Sequence, residues 1–208
     1  MKKLIYMMAF LAMASQITNC KKEDKDDDDD DTPAANVLCD GKGGSSWMRL
    51  DSANSWTYTW SLDGQNFPIS PKLVVGETTE HDSMTYRLLV DSDNNMLSYD
   101  YELREDATTH DLYQYYFSGE EFLVVPGSPT LNQSWTTVTN WTRKVTSVSA
   151  SVSSHDCNYT GLLEITEYDA NMEIKNKYYY KKGLGLVKWT RPSQIGEEAF
   201  VLSAVSLK

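Results

Sequence analysis

The sequence predicts a mostly β fold: a single antiparallel sheet that is strongly curved or forms an open barrel of about ten strands, with a β-sandwich as the alternative. Three observations lead to this prediction. Large apolar residues alternate with polar ones at a period of two in many short segments. Turn-forming Gly, Asp, Asn and Ser residues separate these segments. Apolar residues recur at helical spacing over no window long enough to form an amphipathic helix.

The first half of the body begins with a predicted loop, because residues 36–46 contain three glycines. Segments with period-two alternation follow, and turn residues at 91–95 and 118–119 join two pairs of them as hairpins. The hairpin around residues 91–95 has the clearest alternation. The strands predicted here are 56–62, 73–75, 84–90, 97–103, 112–117 and 121–125.

The second half continues the period-two alternation after Pro126 and Pro129, which lack the backbone N–H that a strand donates to its neighbour. Residues 135–152 are rich in Thr, Ser and Val, which favours strand over helix. A third hairpin is predicted around Asp169-Ala170-Asn171. The remaining predicted strands are 162–168, 172–181, 184–189 and 200–207.

A short apolar leader opens the chain. Lys2 and Lys3 precede an apolar run over residues 4–14, and residues 15–19 are small or polar. This is the layout of a secretory signal peptide, and the run is too short to cross a bilayer as a permanent helix. We therefore expect residues 1–19 to be a signal peptide, with a buried N-terminal helix as the alternative.

The leader ends in Ile17-Thr18-Asn19-Cys20, which resembles the cleavage site of bacterial lipoproteins in its Bacteroidota form. Asn19 departs from the strict pattern, which has Gly or Ala there. The resemblance implies that Cys20 becomes the first residue and carries acyl chains, and two or more chains anchor a protein stably. It therefore implies an outer-membrane location, with the membrane as a partner through the lipid.

An acidic tether follows, since residues 21–31 hold three Lys, one Glu and seven Asp. Such a block repels itself and is expected to stay extended and hydrated. The run resembles the export signal of surface-exposed Bacteroidota lipoproteins, and a simple spacer is the alternative. We expect residues 20–36 to be the lipidated cysteine and its tether, and residues 37–208 to form one β domain.

Charge and cysteine content bound the function further. The formal net charge is −11 and no basic cluster is present, so we expect no nucleic-acid partner. With Cys20 lipidated, Cys39 and Cys157 remain as a pair that an oxidising compartment would join. Two separate thiols are the alternative that the sequence leaves open.

The stretch KYYYKKGLGLVKW at residues 177–189 combines a tyrosine-rich strand, a glycine turn and a Val-Lys strand. Together with SWTYTWSLDG at residues 55–64 and the segment leading to Trp135, it resembles small surface-exposed Bacteroidota lipoproteins of the TapB / DUF3108-like group. The resemblance implies an open, curved antiparallel sheet like that of LolA/LolB lipoprotein carriers. The resemblance implies no catalytic residues.

Catalytic and metal sites find little support in the sequence. His81, His110 and His155 are the only histidines, and they form no zinc-type ligand set. The run His155-Asp156-Cys157 could activate a thiol, but no oxyanion motif accompanies it. We therefore expect no catalytic residue, no metal and no cofactor.

The aromatic residues point to a binding face instead. Trp56 and Trp60 share one face of a predicted strand, and Tyr178 and Tyr180 share one face of another. On a concave sheet these rings could contact an acyl chain, a peptide or a glycan, while core packing is the alternative. We expect a non-enzymatic envelope protein that binds such a ligand. A structural subunit of an outer-membrane complex and a carboxylate-dependent hydrolase are the alternatives.

Overall fold

One antiparallel sheet of thirteen strands curls into a nearly closed barrel. The computed structural model describes residues 37–92, 101–154 and 156–208. From Ala35 to Lys208 the chain forms one compact unit. Within the described residues, no helix is long and apolar enough to span a bilayer.

The described elements are one short helix, α1 (Val37–Asp40), and thirteen strands. The strands are β1 (Ser55–Leu62), β2 (Gln65–Asn66), β3 (Lys72–His81), β4 (Met84–Asp91), β5 (Tyr101–Glu105), β6 (Leu112–Tyr116), β7 (Glu120–Val125), β8 (Ser134–Thr136), β9 (Thr142–Ser153), β10 (Asn158–Tyr168), β11 (Ile174–Lys181), β12 (Gly185–Ser193) and β13 (Gly196–Ser206).

The sheet order runs β7-β6-β5-β4-β3-β1-β13-β12-β11-β10-β9-β8, and β2 pairs with β1 beside this path. Most neighbours are consecutive in sequence, as expected of a meander. The first long strand, β1, also pairs with the last, β13, with Trp60 opposite Phe200. This pairing joins the two halves of the chain, and it leaves β7 and β8 as the two edges of the sheet.

The two edges meet at a seam that side chains close. Trp135 of β8 donates its Nε1–H to the carbonyl of Leu123 at 2.8 Å, and Arg143 Nη1 reaches the carbonyl of Val124 at 3.4 Å. Beyond the end of β7, Trp47 Nε1 donates to the Pro126 carbonyl and Lys182 Nζ to the Gly127 carbonyl, both at 3.0 Å. Carbonyls that would be left bare at a sheet edge are thereby satisfied.

The helix α1 is fastened to the barrel wall. Cys39 and Cys157 form a disulfide with a Cα–Cα distance of 5.3 Å. Tyr159 on β10 donates its hydroxyl to the carbonyl of Leu38, and Lys181 donates to the carbonyl of Cys39 at 2.8 Å. The disulfide joins two segments separated by 118 residues, so it ties the start of the body to its second half.

The predicted fold is confirmed, since the described chain is nearly all β and forms an open barrel; the β-sandwich alternative is wrong. The strand number exceeds ten partly because the predicted strand 135–152 is two strands, β8 and β9, separated by a turn. β3 extends to His81, well beyond the predicted end at residue 75. The leader, Cys20, the tether, residues 93–100 of the predicted hairpin and His155 lie outside the described residues.

Candidate functional site

A largely apolar cavity of about 130 Å³ lies within the barrel. Side chains from both halves of the sheet line it, together with Met48 from the segment that precedes β1. Its aliphatic wall consists of Leu73, Leu89, Leu103, Leu112, Val124 and Leu186. A dry apolar cavity of about 150 Å³ in an engineered protein holds benzene, so this volume suits an aromatic ring or a short alkyl chain.

Four tyrosines line the cavity, and two of them, Tyr58 and Tyr180, differ in their hydrogen bonds. Tyr58 on β1 donates its hydroxyl to the carbonyl of Leu186 at 3.1 Å, and burial raises its pKa. Tyr180 on β11 is only 6% exposed, and its hydroxyl has no hydrogen-bond partner among the described residues. Burial raises the pKa of Tyr180 to about 12, so this hydroxyl is protonated at neutral pH and can donate to a ligand.

The charged group in the cavity wall is Arg143 on β9, which is 7% exposed. Its Nε donates to Oε1 of Glu167 at 2.8 Å, and its guanidinium carbon lies 4.9 Å from the centroid of the Tyr178 ring. Burial lowers the pKa of Arg143, but Tyr178 and Glu167 beside it produce a net rise, so the guanidinium stays charged. The charge of the cavity wall is therefore balanced inside the protein.

Both oxygens of the Glu167 carboxylate accept hydrogen bonds. Its Oε1 accepts from Arg143, while its Oε2 accepts from the Asn176 side-chain amide and from the Tyr178 hydroxyl. Glu167 is 3% exposed and is not part of the cavity wall. Among the described residues, no carboxylate lines this cavity, so its polar groups are hydrogen-bond donors and one amide, Gln114.

A row of stacked rings crosses four strands beside the cavity. Its members are Phe67, Trp60, Phe200, Trp189 and Tyr178, whose successive centroids are 3.9, 6.3, 4.8 and 6.5 Å apart. Direct cross-strand pairing sets most of this row, because Trp60 and Trp189 both lie opposite Phe200, and Tyr178 lies opposite Trp189. Cross-strand aromatic pairs of this kind stabilise sheets.

The four predicted ligand contacts fall into two groups. Tyr178 and Tyr180 line the cavity. Trp56 does not: it is fully buried in the core and donates to the Leu184 carbonyl at 2.5 Å. Trp60 does not line it either, because it stacks on Phe67 and donates to Oε1 of Glu198 at 2.9 Å.

The two tryptophans miss the cavity because of their spacing along the strand. They lie four residues apart on β1, which corresponds to about 13 Å. Tyr58 lies midway between them and is the β1 residue that lines the cavity. Trp56 and Trp60 therefore flank the cavity on its two sides, although all three side chains share one face of the strand.

His81, His110 and Cys157, which the sequence offered as candidate catalytic or metal-binding groups, make other contacts in the described structure. No group of three His, Cys, Asp or Glu side chains is placed there to hold a metal ion. Cys157 is bonded to Cys39, so it is not available as a thiol nucleophile. His81 instead stacks on Tyr115 at 3.7 Å and contacts Glu102, while His110 contacts Glu105 at 3.2 Å.

Comparisons with known proteins assign the chain to no family. No protein-family model matches the chain, and no curated protein matches it. Among solved structures, it is similar to a Bacteroides fragilis NCTC 9343 protein described as a candidate exported protein with a YmcC-like fold. The two are 9% identical, with a TM-score of 0.48, and the match covers 78% of this chain and 99% of that one. The resemblances to the TapB / DUF3108-like group and to LolA/LolB therefore stay predictions.

Proposed function

We propose that the chain is a non-enzymatic, lipid-anchored protein of the cell envelope that binds an apolar or amphipathic ligand inside its barrel. The observation that carries this proposal is the cavity of about 130 Å³, which the core side chains leave unfilled. Protein interiors rarely leave voids larger than a water molecule, so an apolar cavity of this size needs an explanation. A bound apolar group supplies one.

The shape and chemistry of the cavity narrow the ligand class. Its wall is largely aliphatic and aromatic, and Tyr180, Gln114 and Arg143 are among its few polar side chains. An acyl segment or an aromatic side chain matches this wall better than a glycan, whose many hydroxyls would lose their water without gaining partners.

The proposed location rests on the sequence and on the disulfide. Cys20 is the proposed lipid attachment site, with the acidic run at residues 21–31 holding the barrel away from the outer membrane on the cell surface. The bond between Cys39 and Cys157 supports an extracytoplasmic compartment, since disulfides persist in oxidising environments.

Filling the cavity should abolish binding. In NMR titrations of the purified chain, we expect toluene to shift resonances of cavity residues, and we expect Leu89→Trp to weaken this binding at least tenfold. Leu89 is 1% exposed and lines the cavity, so the larger ring occupies the space that the ligand needs. Leu131→Trp is the matched control, because Leu131 is 57% exposed and should leave binding unchanged. Toluene titrations that shift no resonance of the unmodified chain would contradict the proposed function.

Docking to another envelope protein is a second candidate function, which one observation favours. Among the described residues, the three most exposed large apolar side chains are Phe117 at 80%, Ile195 at 73% and Met172 at 65%. They lie in the β6–β7, β12–β13 and β10–β11 turns, and the antiparallel order places these three turns at the same end of the strands. Apolar groups gathered at one end of a domain indicate an interaction surface.

This second candidate has its own test. Replacing Phe117, Met172 and Ile195 together by serine should release the protein's partner during co-purification from solubilised outer membranes. Toluene binding should persist in the same variant, because none of the three residues lines the cavity. Recovery of the same partner with the triple variant would count against docking through these turns.

A further inference from the structure

A polar groove of about 600 Å³ adjoins the cavity. Met48 and Leu103 belong to the lining of both, so these two side chains form the wall between the cavity and the groove. For a ligand whose apolar part fills the cavity to reach the groove, its chain has to pass between Met48 and Leu103. The groups lining the groove therefore decide which head group such a ligand can carry.

Two arginines lie next to that wall. Arg49 follows Met48 in the chain, and Arg87 on β4 lies directly opposite Leu103 on β5. Neither arginine has an ion-pair partner among the described residues. Arg49 Nη2 donates to the carbonyl of Gly43 at 3.3 Å, whereas its Nε is buried and has no acceptor in the described part of the chain. A buried donor of a charged group without a partner is rare in proteins and calls for an explanation.

Two of the three acidic groups along the groove accept hydrogen bonds from groups other than Arg49 and Arg87. Glu105 accepts the Ser46 hydroxyl at 2.7 Å and the Trp47 backbone N–H at 3.0 Å, and His110 contacts its other oxygen. Asp106 accepts the backbone N–H groups of the two threonines that follow it closely in sequence. Asp51 is the remaining acid and lies exposed.

A third arginine that lines the groove, Arg104, is neutralised by an ion pair. Arg104 forms a two-pronged ion pair with Glu121, with Nε and Nη2 donating to the two carboxylate oxygens. Arg49 and Arg87 are thus the cations of the groove that no carboxylate of the described chain neutralises. Their guanidinium groups therefore remain available to an anionic group of a ligand, on a chain whose formal net charge is −11.

We propose that Arg49 and Arg87 bind the carboxylate of an amphipathic ligand whose short apolar part occupies the cavity. This inference rests on the proposed function, and it specifies the ligand class as an alkyl or arylalkyl carboxylate. Arginine suits the role, because its guanidinium donors match the two oxygens of a carboxylate. The partly open groove gives the charged head access to water while the tail is buried.

The experiment compares hexanoate with 1-hexanol, which share an alkyl chain and differ in the charge of the head group. Dissociation constants are measured by NMR titration for the unmodified chain and for Arg49→Gln and Arg87→Gln. We expect each substitution to weaken hexanoate binding about three- to tenfold, as loss of a partly exposed charge-assisted contact does. Binding of 1-hexanol should stay unchanged, which also shows that the variant is folded. Added NaCl should weaken only hexanoate binding.

Lys175→Gln is the matched control, because it removes one positive charge outside the groove and the cavity. It should leave the affinity for both probes unchanged. Binding of 1-hexanol together with hexanoate binding that neither arginine substitution weakens would overturn this inference alone. Failure of both probes to bind the unmodified chain would overturn the proposed function and this inference with it.

Discussion

Replacing Cys39 and Cys157 together by serine is expected to lower the free energy of unfolding by about 4 kcal/mol. The disulfide closes a loop of 118 residues, and a cross-link over a loop of about this length removes about 4–5 kcal/mol of chain entropy from the unfolded state. The contacts of Tyr159 and Lys181 with the α1 backbone depend on the same attachment. Urea denaturation of the two proteins measures the difference.

Two controls separate the disulfide from other effects of the substitutions. Reducing the unmodified chain with dithiothreitol should bring its urea midpoint close to that of the double variant. Cys20→Ser, in contrast, should leave the midpoint unchanged, since Cys20 takes no part in the bridge between Cys39 and Cys157. A stability loss below about 1 kcal/mol would show that non-covalent contacts alone hold α1 in place.

Replacing Arg143 by methionine is expected to cost about 3–5 kcal/mol, because the substitution leaves the carboxylate of Glu167 buried without its cation. Glu167 is 3% exposed and Arg143 7%, so water cannot replace the lost partner. The double variant Arg143→Met/Glu167→Met should recover most of this loss, since it removes the uncompensated charge as well. Chemical denaturation of the single and double variants provides the measurement.

Arg191→Met is the matched control for this ion pair. Arg191 also pairs with a buried glutamate, Glu198, but its own side chain is 49% exposed, so water can take the place of its guanidinium beside the carboxylate. An ion pair with an exposed partner contributes at most about 1 kcal/mol, so this variant should lose no more than that. Equal losses for Arg143→Met and Arg191→Met would mean that burial does not set the contribution of the Arg143–Glu167 pair.

The fold was predictable because its strands carry a local signal. The segment SWTYTWSL alternates rings with hydroxyl residues and forms strand β1, which begins one residue before the predicted strand 56–62. The boundary between β8 and β9 was missed, because the turn there contains neither Gly nor Pro. That turn is closed by a hydrogen bond from the Thr137 N–H to the Trp141 carbonyl, and Asn140 adopts a φ of 60° within it. Asn tolerates this conformation, but a single Asn is a weak signal.

The candidate site was predictable only in part, since it depends on pairing between distant strands. The alternation of Tyr178 and Tyr180 indicated a shared face, and both residues line the cavity. Arg143 and Glu167 are 24 residues apart, and only the β9–β10 register places them opposite each other. The one local signal was Glu167, a charged residue two positions after Ile165 and therefore on the same face of its strand. The other residues on that face are largely apolar.

At the seam, side chains rather than backbone hydrogen bonds join the two edge strands of this barrel. In a fully hydrogen-bonded barrel, strand number and stagger fix the diameter. Here Trp135 and Arg143 span the gap, so the length of two side chains helps to set how far apart the two edges stand. Exchanging one of these bridges for a shorter or longer residue can resize the lumen while every strand keeps its register. The width of the lumen and the strand pairing can therefore evolve separately in this architecture.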